Sequence, residues 1–414
     1  MDATLIEALR TLAERTIRDC AFTKEATYFG KEEDTVVLLP SGDEKYLSFW
    51  VRDCAMMAES GLISDHDLER YLSIIALCGQ NGADTRLLEN GLTVPPYAVA
   101  DHINYDGRAV FFPGTYRSGN DQGNGSYGFF PPFCDNYFFI LMAAQYVAQS
   151  GNTDILQKDF GGMTLLERLE RAAHGYNIDC ESGLCESTED TYTVDWGFVD
   201  TVKKSGKLLM ASLLRYNAHT ALATLCDTVG ENAKGKQYLA ESRKIADSVC
   251  KIFYDDVSGW LYSATDIGHQ YDVWGTAYAV FSGVINEEKT LAVLARAYRD
   301  GTAVVDGYVR HIPADCNHSP TSAWESSTTA LDRYQNGAYW ATATGWYAYA
   351  LWRHDHTTDI LTDFLAHTAR FSAHGAPFEW IDRKTENLSG LYYGTSGVLP
   401  YIGALRIAAE SGNI

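Results

Sequence analysis

The chain has 414 residues, 46% of them hydrophobic and 21% charged, which supplies a large core and excludes a disordered protein. Fifty-four acidic residues against 33 basic ones leave a formal charge of −21, a surface that repels phosphate backbones and anionic headgroups. Nucleic acid and membrane surfaces are therefore poor partners. The 26 Tyr and 9 Trp exceed what a core needs and suit a cleft whose flat faces and polar tips meet a carbohydrate.

In chain order, apolar residues recur at helical spacing over 3–20, 52–61, 66–79, 135–150, 163–176, 206–228, 232–254, 272–284, 287–300, 338–353, 357–372 and 395–411. Start signals support two of these: Ser64-Asp65-His66-Asp67 before one, and acids at Glu287-Glu288 in another. Strands are scarce, with Thr35–Leu39 one short candidate. Helices that pair antiparallel in even number predict an all-α fold, an (α/α)6 barrel of six helical hairpins with long functional loops. The stretches 80–134, 177–205, 255–271, 301–337 and 374–394 are rich in Gly, Pro, Asp, Tyr and Trp, and long loops of that kind line clefts. With no linker and no repeat, 1–414 reads as a single domain.

Nine scattered cysteines, mostly in apolar contexts, read as reduced core thiols. Cys180 and Cys185 have the spacing to pair or to bind metal, but no second Cys/His pair completes a zinc set, and no metal or cofactor is expected. Met1-Asp2-Ala3-Thr4 opens without a basic segment or apolar run, so a cytoplasmic chain is expected. Nothing in the sequence sets an oligomeric state.

Acids that stand among aromatics where loops meet helices are the candidates for chemistry. Trp50-Val51-Arg52-Asp53 opens one helix, and Asp53 either caps it within an ion pair with Arg52 or grips sugar hydroxyls. Asp135 follows Phe133-Cys134 and precedes Tyr137-Phe138. Desolvation there would raise its pKa, as a general acid requires, although a cap suits the position and the helix dipole opposes the shift. Asp195, Trp196 and Asp200 share one loop run, Val194-Asp195-Trp196-Gly197-Phe198-Val199-Asp200, and Glu325 is a weaker candidate of the same kind. Tyr334-Gln335-Asn336-Gly337-Ala338-Tyr339-Trp340 places amides beside aromatics, either to bond sugar hydroxyls or as a buried bracing network. Glu379 lies between Phe378 and Trp380, ahead of the last helix.

Hydrolysis of a glycosidic bond needs one carboxyl group held protonated and one ionised, and this set of acids offers that pairing. In order and spacing the motifs resemble the six-hairpin glycosidases, and among them most the neutral/alkaline invertases. The matching runs are Trp50-Val51-Arg52-Asp53, Asp135-Asn136-Tyr137-Phe138-Phe139, Tyr334-Gln335-Asn336-Gly337-Ala338-Tyr339-Trp340 and Pro377-Phe378-Glu379-Trp380. The resemblance implies an inverting, exo-acting hydrolase of a neutral oligosaccharide. It implies Asp135 as general acid and Glu379 as general base, with Asp53 and Asp200 holding the sugar.

Three alternatives stay open. Hydration of unsaturated uronides, with Asp135 or Asp195 as the proton donor, would need a convergent Arg108, Arg117 or His311. Sugar epimerisation would need a pair of histidines, for which His354, His356 and His374 are in weak contexts. A non-catalytic sugar-binding protein would use the same residue types.

Overall fold

The computed structural model describes residues 2–22, 36–42, 46–104, 106–113, 128–371, 377–382 and 388–412. Arg117, His374 and the first residue of the Thr35–Leu39 strand lie outside them. Among the described residues there are twelve α-helices: α1 Ala3–Cys20, α2 Val51–Ala58, α3 Asp65–Ile74, α4 Cys134–Ser150, α5 Leu165–His174, α6 Leu209–Thr228, α7 Asn232–Phe253, α8 Val273–Phe281, α9 Glu288–Arg299, α10 Thr344–Asp355, α11 Asp359–Phe371 and α12 Gly394–Glu410. Each falls on one of the twelve periodic segments.

Local chemistry sets many of the starts. The Ser64 hydroxyl accepts from the Asp67 N–H at 3.1 Å, and Thr164 and Glu167 form a reciprocal capping box on α5. Asp272 accepts from the Gly275 N–H at 2.8 Å and opens α8. α4 closes at Gly151 in the left-handed conformation, φ 70°.

The helices divide into two layers by what they bury. α1 buries only Leu9, Leu12, Ala13, Thr16 and Cys20, a single stripe, and α7 does the same with Gly235, Ser242, Ile245, Val249 and Phe253. In α2 every residue is buried, and α8, α10 and α12 are apolar nearly all round. Helices of that kind must be inside. The packing agrees: α2 contacts α4, α4 contacts α6, and the series continues through α8 and α10 to α12, which returns to α2. The odd-numbered helices lie against this cycle from outside. Glycines permit the closest approach, since a Cβ on Gly403 would stand 2.4 Å from the Gly345 Cα between α10 and α12.

Small antiparallel strands link the helices. The largest sheet runs Val304–Val305, Tyr308–Arg310, Tyr339–Trp340, Phe378–Ile381, Leu388–Tyr392 in that order. Two expectations are corrected here. The segment read as a helix over 338–353 begins as a strand at Tyr339–Trp340, and α10 starts only at Thr344. Strands are also more numerous than the sequence suggests, because pieces of two to five residues are too short to show alternation. No helix among the described residues is long and apolar enough to cross a membrane.

Candidate active site

Several of the candidate residues lie at the N-terminal ends of even-numbered helices. Trp50 ends a strand paired with His102–Ile103 and leads into α2, which carries Arg52 and Asp53 in its first turn. Asp135 occupies the first turn of α4, and Tyr393 is the residue before α12.

Arg52 is the electrostatic centre of this end, with 4% exposure. Its Nη1 lies 3.0 Å from Asp101 Oδ1 and 3.9 Å from Asp135 Oδ1, and its Nη2 lies 3.5 Å from Asp53 Oδ2. All three carboxylates are buried. One cation cannot hold three neighbouring carboxylates ionised in a water-poor site. Burial pushes Asp135 well above the usual carboxylate range and Asp53 above it more modestly, against the pull of Arg52. Burial acts on Asp101 too, but Arg52 and the His102 ring, 2.8 Å away, outweigh it and hold this group low. The guanidinium also lies 5.4 Å from the Phe198 ring centre, and the chain passes so close that a Cβ on Gly197 would stand 1.9 Å from Nη1.

Arg52 also lines a small pocket of ≈ 30 Å³. Tyr46, Trp50, Phe198, Tyr334 and Tyr393 form aromatic walls, and the charged groups on its lining are Arg52, Asp200 and Glu379. Glu379 is buried on the strand Phe378–Ile381, where the Tyr46 hydroxyl approaches its carboxylate at 3.4 and 3.5 Å. The Tyr393 hydroxyl donates to Asp53 at 2.6 Å. Asp200 ends the tight turn Gly197–Val199, and its Oδ1 is buried without a hydrogen bond. Burial, opposed by the Gln335 amide and by Arg52, pushes Asp200 up to about 6.

That shift has a consequence for stability. The folded chain keeps the Asp200 proton up to about pH 6, whereas the unfolded chain releases it near 3.8, so stability falls as pH rises across that window. Asp200→Asn should raise the melting temperature by roughly 2–4 °C at about pH 8 and leave it unchanged below about pH 4. Calorimetry at the two pH values checks this.

The pocket thus brings together Trp50, Arg52, Asp200, Tyr334 and Glu379. Asp53 and Asp135 touch Arg52 but do not line the pocket. The other candidates are engaged in holding the loops. Asp195 is buried between the Lys204 ammonium, 2.8 Å, and the Ala211 N–H, 2.8 Å, where it caps α6. Trp196 is buried against Phe198, Trp274 and Trp346. Gln335 accepts from the Thr201 N–H and hydroxyl at 2.8 and 2.7 Å, fixing the chain just after Asp200. Asn336 accepts from the N–H groups of Ala323 and Trp324 and donates to the Thr329 carbonyl. Trp340 is buried, with its indole N–H on the Tyr334 carbonyl at 3.1 Å. Glu325 accepts from the Gly268 N–H at 2.8 Å.

Of the cations weighed for a uronide, Arg108 is more than half exposed and held by Asp106, and His311 is buried against Trp274 with its pKa driven well down by burial. His354 meets Glu288, and His356 ends α10. None of these described residues lines the pocket. Among the described residues no cluster of three or more His, Cys, Asp or Glu side chains has the geometry of a metal site. The nine cysteines are free thiols, Cys185 buried beside the Tyr137 hydroxyl and Cys180 exposed. Tyr46, Phe198, Tyr393 and the Asp101–His102 pair were not singled out from sequence. An acid-imidazole pair after the apolar run Ala98-Val99-Ala100 was a usable signal, whereas Tyr46 had none.

The chain aligns with a rhamnosidase of glycoside hydrolase family 78 from Bacillus sp. GL1 over 97% of its length, with a TM-score of 0.60 at 15% identity. A rhamnosidase from Klebsiella oxytoca with rhamnose bound gives 0.62 at 12% identity over 99%. The fold is that of solved glycosidases. The chain spans 34% and 65% of the length of those two proteins, but 99% of a third structure, described as a glycosidase, with a TM-score of 0.54 at 14% identity. No family model and no curated protein sequence matches the chain.

Proposed function

We propose that the chain is an exo-acting, inverting glycoside hydrolase of a neutral sugar, built over 1–414 as one (α/α)6 barrel. Asp200 is the general acid and Glu379 the general base. The observation that carries this reading is that the two acids share one small aromatic pocket and sit in different surroundings. Asp200 is desolvated and lacks a hydrogen bond at Oδ1, so it holds its proton to about pH 6, as a donor to the leaving oxygen must. Glu379 is met by the Tyr46 hydroxyl at 3.4 Å and is the second carboxylate on the lining, placed to activate water. Neither role calls for a cofactor. The closed cycle of even-numbered helices supports the barrel, and the rhamnosidase and glycosidase structures support the reaction class.

Asp135 is assigned a positioning role. It contacts Arg52 without lining the pocket, and burial raises its pKa well above the usual carboxylate range. Arg52, Trp50 and Tyr334 then hold the sugar, with Asp53 acting through the Tyr393 hydroxyl.

The test is a screen of aryl glycosides and neutral oligosaccharides, with the product anomer followed by proton NMR. Release of the opposite anomer supports the reading; retention or silence across the panel sinks it. For the substrate so found, kcat/KM should fall tenfold per pH unit above about 6, where Asp200 loses its proton. A profile flat from about pH 5 to 8 would count against Asp200 as the acid.

A further inference from the structure

A second pocket, of ≈ 300 Å³, adjoins the first and shares Asp200 with it. Since Asp200 lies on both linings, a glycosidic oxygen beside it would have the sugar on one side and the leaving group on the other. The second lining holds Tyr192, Phe129, Lys203, Ser326, Thr328 and Glu189 among its residues. Lys203 is its cation, and among the described residues it makes no ion pair. Its ammonium instead rests 5.4 Å from the centre of the Tyr192 ring. The contrast with the next residue is direct: Lys204 is buried between Asp195 and Asp272, 2.8 and 3.6 Å away.

The surroundings fix Lys203 in place. Its N–H donates to the Ser326 carbonyl at 3.1 Å, and the Thr328 N–H donates to the Thr201 carbonyl at 2.9 Å, tying the two loops together. The Ser327 hydroxyl is engaged with Thr329, whereas that of Ser326 bonds nothing among the described residues. Glu189 is exposed at the same lining and meets Lys203 in no ion pair. In a chain of formal charge −21, an ammonium with no ion pair among the described residues, set against an aromatic ring and a hydroxyl that bonds none of them, is a site for an anion with polar neighbours.

We infer that this second pocket is a leaving-group subsite for an acidic unit, a sugar acid or short hydroxy acid, whose carboxylate meets Lys203 while its hydroxyls meet Ser326. The inference rests on the hydrolase reading for the word leaving group, but not for the binding itself. Its test is therefore a binding measurement. D-glucuronate, D-galacturonate, D-gluconate and D-glucose are titrated by NMR into the wild-type chain, Lys203→Gln and Lys203→Arg. At least one of the acids should bind the wild type more tightly than glucose. It should lose about 3–10-fold in Lys203→Gln, keep most of its affinity in Lys203→Arg, and weaken with added salt. Glucose binding should not change between variants. Equal affinity for acids and glucose, or an advantage that survives Lys203→Gln, overturns the inference. The two readings separate cleanly. Glycoside hydrolysis without Lys203-dependent acid binding leaves the hydrolase and removes the subsite. Acid binding at Lys203 with no hydrolysis of any glycoside leaves an acid-binding pocket and removes the hydrolase.

Discussion

Asp200→Asn and Glu379→Gln should each lower kcat by at least about 10²-fold, the lower range for groups that transfer protons, while Asp135→Asn should cost less than about tenfold. The three acids look alike in sequence, and the expected difference follows from where their protons sit. Burial drives the Asp135 pKa well above the usual carboxylate range beside Arg52, so an amide of the same shape resembles its neutral form and keeps most of its contacts. In the proposed reaction Asp200 gives its proton away and Glu379 acts ionised, so an amide removes the function of either. The leaving group sharpens the distinction. A 2,4-dinitrophenyl glycoside departs without protonation, so Asp200→Asn should regain much of its lost rate on it. Glu379→Gln should lose equally on good and poor leaving groups, because water activation is needed for both. Steady-state kinetics on two substrates with the three variants decides it. A large loss in Asp135→Asn, restored by the activated substrate, would return the acid role to Asp135.

The helices were legible in the sequence because they either present a stripe, as α1 and α7 do, or are apolar nearly all round, as α8 and α12 are. That difference also assigns the layer. The strands were not legible, since Tyr339–Trp340 is two residues long and opens a run with helical spacing. Among the candidates for the site, residue type and aromatic company found Trp50, Arg52, Asp200, Tyr334 and Glu379, which line one pocket. The same criteria selected Asp195, which instead lies between Lys204 and the start of α6, and Asn336, which braces a loop. Sequence shows that an acid has aromatic neighbours but not what covers it. Asp135 and Asp200 differ in their surroundings through Arg52, whose partner Asp101 is 49 residues along the chain, and no local pattern reports a pairing at that range.

Arg52→Met should be the most damaging single change at this end of the molecule. Methionine fills much of the volume but leaves Asp101, Asp53 and Asp135 buried without their shared cation. Removing one partner of a buried ion pair costs about 3–5 kcal/mol, a large fraction of what a folded domain has in reserve. The sign of the pH dependence follows from Asp101. In the native chain Arg52 and His102 hold it below the ordinary range, so it contributes stability above the unfolded pKa, and this is lost as pH falls. Without Arg52 the burial that now opposes that shift prevails, and the folded-state pKa moves above the unfolded value. Stability is then lost as pH rises instead. Urea denaturation should therefore show a larger deficit for Arg52→Met at about pH 8 than at about pH 5. Adding Asp101→Asn to Arg52→Met removes the charge that has lost its partner, so the double variant should be more stable than Arg52→Met alone, and by more at the higher pH. Asp101→Asn by itself should destabilise, because it takes the strongest acceptor from Arg52, and that reversal of sign between the two backgrounds is the mark of direct coupling. An equal deficit at both pH values, or additive effects of the two substitutions, would mean that Arg52 acts through its packing against Phe198 and Gly197 rather than through its charge.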